Sequence, residues 1–232
     1  KLVDSPTGHW RIFMEPDENS NLVAFMDPAY GTGSANACIV MMDTNLREVV
    51  ATYVDPTCPP YDLSREIVMA ARSWARGRSD MLIGWEVNGP GSSKHHDFER
   101  LRWFNIFHHK RLGQRVEVRT KRVGWTSTRV TKRVLFADLA RALADDTIVC
   151  PDEEIIDELD STVVYKDGSL GPARLEVDAS SGAREAHGDR VVAFAGAVML
   201  LDDANPDAER PDPNYGMPDF SLGNMLNMDE LL

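Results

Sequence analysis

Two apolar runs in this chain each end in an acid that a glycine-bearing turn follows at once. The first is NLVAFMDPAYGTG (21–33), which contains Asp27, and the second is LIGWEVNGPG (82–91), which contains Glu86. Short apolar runs of this kind predict strands that are buried on both faces. If the two strands are parallel neighbours, both acids emerge at one edge of the sheet, where ligands collect in open α/β folds.

A third acid, Asp189, lies in the first turn of a helix predicted over residues 187–201, whose small residues allow close packing on a sheet. Three convergent carboxylates repel one another, so such a cluster persists mainly when a cation neutralises it. Carboxylate oxygens without histidine or cysteine pairs favour Mg²⁺ or Mn²⁺ over zinc. Two such ions, about 3.5–4 Å apart, would support in-line phosphoryl chemistry.

Each acid also has a structural interpretation. Asp27 precedes a proline and is typical of a turn, and Asp189 would complement a helix dipole. Glu86 is harder to explain this way, because an acid within an apolar strand needs a partner. His187 is either a further metal ligand, a base, or a packing residue at the helix start, and Asp178 ends a predicted strand from which it could approach the site.

The order of predicted elements indicates a mixed sheet, an antiparallel three-strand meander followed by helix-linked strands, with helices on its faces. The predicted strands span 10–14, 22–26, 35–43, 47–55, 80–86 and 106–109, with a ribbon over 162–166 and 173–178. The predicted helices span 63–77, 94–104, 129–144, a segment beginning near 151, and 187–201. The longest apolar stretch, 191–201, is too short to cross a bilayer, so no membrane partner is expected.

Charge is distributed unevenly along the chain, whose formal net charge is −12. The segment after Leu201 is strongly acidic, whereas residues 94–133 are rich in lysine and arginine. A basic stripe in an acidic protein is typical either of a polyanion track or of a solvated face. The three cysteines are far apart and form no CxxC pair, which argues against a disulfide framework or a thiolate zinc site and fits a reducing cytosol.

Four motifs together resemble the C-terminal nuclease domain of tailed-phage large terminase subunits. They are VAFMDPAYGTG, LIGWEVNGPG, GWTSTRVTKRVLFADLARAL and HGDRVVAFAGAVML, in this order over residues 21–201. The resemblance implies a ribonuclease-H-like fold and a metal-dependent endonuclease that cuts concatemeric phage DNA with little sequence preference. By motif match Asp27, Glu86 and Asp189 would be the catalytic, metal-binding acids. Many relatives carry a second acid just before the third one, where this chain has Gly188.

The same resemblance assigns the rest of the chain. Residues 1–20 would be a lead-in from a missing ATPase domain, 21–201 the nuclease domain, and 202–232 an acidic tail. Since no GxxxxGK[ST] loop is present, no ATP should bind. Double-stranded DNA, a portal and a small terminase subunit would be the partners, in the host cytoplasm. The expected DNA contacts are Lys110, Arg111, Lys121, Arg122, Thr126, Thr128, Arg129, Lys132 and Arg133.

Three alternatives remain open from the residues. The same acids would serve a Holliday-junction resolvase or a transposase. DPAYGTG loosely resembles the Asp-x-Gly-Thr phosphate loop of actin-like kinases, although the second phosphate motif of that class is absent. A non-catalytic DNA-binding module of the same fold would keep the architecture without binding metal.

Overall fold

The computed structural model describes residues 7–15, 20–74, 81–110, 119–166, 169–173, 178, 180–184 and 188–204. Its centre is a five-stranded mixed sheet in the order β1-β4-β3-β2-β5. The strands are β1 (Trp10–Ile12), β2 (Leu22–Asp27), β3 (Ala37–Asp43), β4 (Glu48–Asp55) and β5 (Leu82–Trp85). Only the β2–β5 pair is parallel, so the predicted meander with a parallel strand beside it is confirmed.

Five α-helices, one 3₁₀ helix (Gly89–Ser93) and two small ribbons complete the described part of the chain. The helices are α1 (Pro60–Trp74), α2 (Lys94–Arg100), α3 (Arg129–Ala144), α4 (Glu153–Asp160) and α5 (Asp189–Ala204). The ribbons pair β6 (His108–Lys110) with β7 (Arg119–Val123), and β8 (Thr162–Val164) with β9 (Leu170–Pro172). Each of these helices is too short or too polar to span a membrane.

The sheet separates two hydrophobic clusters, and β2 contributes to both. Leu22, Ala24 and Met26 face the cluster that contains α1, whereas Val23 and Phe25 face the cluster that contains α3 and α5. This alternation follows from the two-residue period of a strand and explains why β2 is apolar on both sides.

Helix α5 packs on β2 at unusually close range. A Cβ atom added to Gly196 would lie 2.4 Å from ring carbons of Phe25, so only glycine fits at this crossing. Apart from Met199 and the last three residues, the helix is buried throughout, which accounts for its almost uniformly apolar sequence. The helix begins with the buried pair Asp189 and Arg190 and thus delivers both to the edge of the sheet.

Several predicted boundaries are wrong for identifiable reasons. Helix α2 ends at Arg100 instead of 104, because Arg102 adopts a left-handed conformation with φ 53°. The N–H of Trp103 then bonds to the carbonyl of Phe98 at 2.9 Å, and that of Arg102 to the carbonyl of Glu99 at 3.1 Å. These two bonds form a Schellman motif, which satisfies the last carbonyls of the helix.

Two other elements also differ from the prediction. In the late ribbon, Val163 pairs with Gly171, so the described second strand is Leu170–Pro172, and residues 174–177 of the strand predicted over 173–178 lie outside the described residues. The basic stripe contains β7, which the sequence did not suggest, and β6 begins two residues after the predicted start of its strand. Residues 10–12 of the predicted lead-in form β1 and pair with β4. Nearly all of the predicted acidic tail, 205–232, lies outside the described residues.

Candidate metal and nucleic-acid site

Asp27 and Glu86 lie side by side at the carboxyl ends of β2 and β5. The parallel register pairs Met26 with Trp85, and the N–H of Glu86 bonds to the carbonyl of Met26 at 3.1 Å. The expectation that the two acids share one sheet edge is therefore confirmed. Their carboxyl groups are close enough to interact, and the interaction raises the pKa of Asp27.

The turn after Glu86 is built tightly against this acid. A Cβ atom added to Gly91 would lie 1.7 Å from the backbone oxygen of Glu86, so the glycine of NGPG is required by close approach. The indole N–H of Trp85 donates to the carbonyl of Gly91 at 3.1 Å. The glycine-bearing turn thus fixes the backbone on which Glu86 stands, and does so by packing.

Asp189 reaches the same edge from the start of α5. It is 7 % exposed, and its Oδ2 atom accepts a 2.8 Å hydrogen bond from the backbone N–H of Asn36. Among the described residues, no three His, Cys, Asp or Glu side chains are already arranged as a metal-ligand group. Asp27 and Glu86 are adjacent, whereas Asp189 affects Asp27 through its charge.

Burial raises the pKa of all three acids, and at Asp27 the charges of the other two raise it further. Burial, together with the charges of Glu86 and Asp189, raises the pKa of Asp27 well above its usual value. Burial also raises the pKa of Glu86, and it raises the pKa of Asp189 to about 7 against the favourable hydrogen bond from Asn36. A hard cation at this edge would relieve the repulsion, so the all-oxygen donor set fits Mg²⁺ or Mn²⁺.

Lys132 is the positive charge that opposes this repulsion. It lowers the pKa of Asp27, of Glu86 and of Asp189, so its charge acts on all three acids. The lysine lies in the first turn of α3, whose N-cap Thr128 forms a capping box with Thr131. Sequence reasoning assigned Lys132 to DNA phosphate contact, and its proximity to the acids was missed.

The start of α3 is held beside Glu86 by a set of backbone and side-chain bonds. The N–H of Val87 bonds to the carbonyl of Trp125 at 2.8 Å. Asn88 exchanges two hydrogen bonds with the backbone of Ser127, at 2.8 and 2.9 Å, and the Ser127 side chain also contacts Glu86. Neither Asn88 nor Ser127 was predicted, although both flank predicted site motifs.

The described members of the predicted DNA-contact set lie next to this junction. Arg122 stands on β7, Thr126 and Thr128 on the following loop, and Arg129 at the start of α3, all of them exposed. Lys132 and Arg133 are half-buried in the same helix. Arg111, His187 and the side chains of Lys110 and Lys121 lie outside the described residues.

One cation of the basic stripe is unavailable to any polyanion. Lys94 is fully buried, and its ammonium group donates to Ser64 at 3.0 Å, to Asp97 at 3.3 Å and to the carbonyl of Pro60. Burial lowers its pKa, against the opposing charge of Asp97. Lys94, the first cation of the basic stripe, therefore belongs neither to a polyanion track nor to a solvated face.

Asp178, the further acid expected to approach the site, is held in a buried network. Its Oδ2 atom accepts hydrogen bonds from Asn36 Nδ2 at 2.9 Å and from Arg190 Nη1 at 2.5 Å. Arg190 also contacts Glu154 at 2.9 Å and Glu158 at 3.3 Å. A charged residue in an otherwise apolar helix was the sequence signal for this network, since a buried arginine requires acidic partners.

Solved structures share this architecture. The large terminase nuclease from thermophilic phage G20c with bound magnesium is 12% identical, with a TM-score of 0.61 over 84% of this chain and 89% of that one. The Thermus phage P74-26 large terminase nuclease domain is 13% identical, with a TM-score of 0.59 over 87% and 90%. This chain has the large terminase nuclease fold. The expected ribonuclease-H-like mixed sheet is thereby confirmed.

Other comparisons add little to this likeness. The G20c nuclease with bound cobalt is similar at 12% identity and a TM-score of 0.61. No protein-family profile matches the chain, and no curated protein matches it significantly. At such low identity the likeness concerns the fold, and the roles of individual residues depend on the geometry described above.

Proposed function

We propose that this chain is a metal-dependent endonuclease that cuts double-stranded phage DNA, in concatemeric form, during genome packaging. The observation that carries the proposal is the juxtaposition of Asp27 and Glu86 at the ends of two parallel strands, where burial raises both pKa values and the charge of Glu86 raises that of Asp27 further. Acids strained in this way at a sheet edge are typical of functional sites. The shared fold with phage terminase nucleases supports DNA as the substrate class.

Asp27, Glu86 and Asp189 are the residues that would hold Mg²⁺ or Mn²⁺. When bound, two such ions would lower the pKa of an attacking water and stabilise the leaving 3′ oxygen. The nuclease of phage G20c has been crystallised with magnesium and with cobalt, which supports divalent-ion use in this fold. His187 remains a further ligand in this proposal.

The DNA would approach over β7 and the start of α3. Arg122, Arg129 and Arg133 supply positive charge there, and Thr126 offers a hydroxyl next to the bond network that holds Glu86. Lys110, Arg111 and Lys121 belong to the same stretch of sequence. Contacts of this type bind phosphates without reading bases, which suits cutting with little sequence preference.

The remaining assignments follow from the family that the motifs resemble. The chain would act beside an ATPase motor, with the portal and the small terminase subunit as partners in the host cytoplasm. It would need no ATP for cleavage, because it lacks a phosphate-binding loop.

Plasmid cleavage tests the proposal. We expect the purified chain to nick and linearise supercoiled DNA with Mn²⁺ or Mg²⁺, without ATP, and to lose this activity in EDTA. A linear duplex and a four-way junction of the same sequence should be cut at similar rates. Strong preference for the junction would favour a resolvase instead, and absence of both cleavage and Mn²⁺ binding would favour a non-catalytic module.

A further inference from the structure

A chain of three hydrogen bonds joins Arg190 to the carboxylate of its own neighbour, Asp189, by a path through other parts of the fold. Arg190 Nη1 donates to Asp178 Oδ2 at 2.5 Å. The same oxygen accepts from Asn36 Nδ2 at 2.9 Å. The backbone N–H of Asn36 then donates to Asp189 Oδ2 at 2.8 Å.

Asp178 is held firmly enough to anchor this series of hydrogen bonds. Its Oδ1 atom accepts from the N–H and the hydroxyl of Ser180, at 3.0 and 2.6 Å. Its Oδ2 atom accepts from Ser181 Oγ at 2.8 Å, in addition to Asn36 and Arg190. Since both oxygens are engaged, the carboxylate cannot rotate without breaking several bonds at once.

The side chain of Arg190 is equally constrained. It is only 5% exposed, and two further acids of α4, Glu154 and Glu158, bind its guanidinium. Glu158 Oε1 also accepts the backbone N–H of Val191 at 2.9 Å, one residue further along α5. The start of α5 is therefore clamped to α4 and to Asp178 together.

The side-chain amide of Asn36 is oriented so that its oxygen is left without a hydrogen bond among the described residues. The residue is 2% exposed, and this Oδ1 atom is buried. The carboxylate of Asp178 requires the amide nitrogen, not the oxygen, to face it. A buried polar atom left unsatisfied calls for an explanation, and here the explanation is the bond that Asn36 makes to Asp178.

We infer that Asn36 is a positioning residue for the metal site: Asp178 and Arg190 fix its side chain, and its backbone N–H in turn fixes one oxygen of Asp189. This inference rests on the proposed function, in which Asp189 is a metal ligand. Groups that hydrogen-bond to a metal ligand and orient it also govern metal affinity, and their removal weakens metal binding by about 10–100-fold.

The affinity for Mn²⁺, measured by calorimetry on the whole chain at fixed pH, tests the inference. We expect Asn36→Ala and Asp178→Asn each to raise the dissociation constant by about tenfold. Glu154→Gln is the matched control, because Glu154 also binds Arg190 at 2.9 Å and, within the described part of the chain, makes no bond to Asn36. The dissociation constant of Glu154→Gln should stay within about twofold of the wild-type value, even if its melting temperature falls as much as that of the other two variants.

The double variant Asn36→Ala/Asp178→Asn separates a relay from two independent effects. Residues in one network are non-additive, so the double variant should bind Mn²⁺ about as weakly as either single variant. Equal affinity in Asn36→Ala and Glu154→Gln, or fully additive losses in the double variant, would overturn the relay. Wild-type protein that binds no Mn²⁺ would overturn the proposed function itself and the relay with it, whereas the former results would leave the function standing.

Discussion

Glu86 and Trp125 form an isolated parallel β-bridge, which ties the end of β5 to the loop that leads into α3. The N–H of Trp125 bonds to the carbonyl of Trp85 at 2.8 Å, and that of Val87 to the carbonyl of Trp125 at the same distance. This bridge brings the first turn of α3, and with it Lys132, to the acid-bearing edge. The acids and the proposed DNA-binding surface are therefore parts of one structural unit.

Lys132→Met should move the pH profile of cleavage toward alkaline values by roughly one unit. The lysine lowers the pKa of all three acids, so its loss leaves them protonated to higher pH. The measurement is the rate of plasmid cleavage from pH 6 to 9 with Mn²⁺. Lys132→Arg keeps the charge and should keep the profile, and an unshifted profile in Lys132→Met would remove the lysine from the electrostatics of the site.

Asp27→Asn should lower the rate of plasmid cleavage by more than about 100-fold, because it removes a proposed metal ligand and not a residue that only orients one. Asp43→Asn is the matched control, because Asp43 also ends a buried strand but caps a turn through the N–H groups of Asn45 and Leu46. That control should cost about 1 kcal/mol of stability and leave cleavage intact. Circular dichroism checks that both variants fold, and undiminished cutting by Asp27→Asn would exclude it from the mechanism.

Mn²⁺ should raise the thermal stability of the wild-type chain, by about 2.7 kcal/mol at a concentration 100 times the dissociation constant. Asp189→Ala should abolish this gain, because the ion loses the acid on α5. Asp62→Ala, which removes a surface carboxylate paired with Arg65, should keep it. An equal gain in Asp189→Ala would mean that the ion binds elsewhere.

In EDTA, the wild-type chain should become less stable as pH rises from about 4.5 to 7. The folded-state pKa of Asp189 is about 7, above its ordinary value of 3.8, so in this range the folded state binds the extra proton and loses stability when it leaves. The groups that act on Asp189 are Glu158, Arg190 and Lys132. Urea unfolding at both pH values measures the difference, which should shrink in Asp189→Asn.

Lys94→Met should destabilise the fold by about 3–5 kcal/mol, because it leaves the buried Asp97 without its cation. Cleavage below the melting temperature should be unchanged, since the lysine is in the interior and not on the DNA-binding surface. Arg122→Met is the contrasting variant: it removes an exposed charge and should weaken DNA binding with little change in stability. Loss of DNA affinity in Lys94→Met, at full folding, would contradict this assignment.

Local sequence patterns predicted the parts of the fold that depend on local chemistry. Asp27 and Glu86 were recognisable because each ends an apolar run, and α3 was predicted over its full length because its apolar residues recur at helical spacing. The end of α2 was missed because the left-handed conformation of Arg102 has no sequence marker comparable to glycine.

The network around Asp189 was beyond local reasoning for a different reason. Asn36 and Asp178 are 142 residues apart, and Asn36 and Asp189 are 153 apart. A single sequence gives no register between such distant segments. The burial of Lys94 was hidden likewise, since its partner Ser64 is 30 residues away on α1.

The close packing of Gly196 on Phe25 also affects a distant part of the fold. Residue 196 lies seven positions after Asp189, which is about 10 Å along the helix axis. A single methyl group added there would push α5 away from β2 and displace the first turn of the helix, which carries Asp189. The placement of Asp189 at the sheet edge thus depends on a glycine in the core.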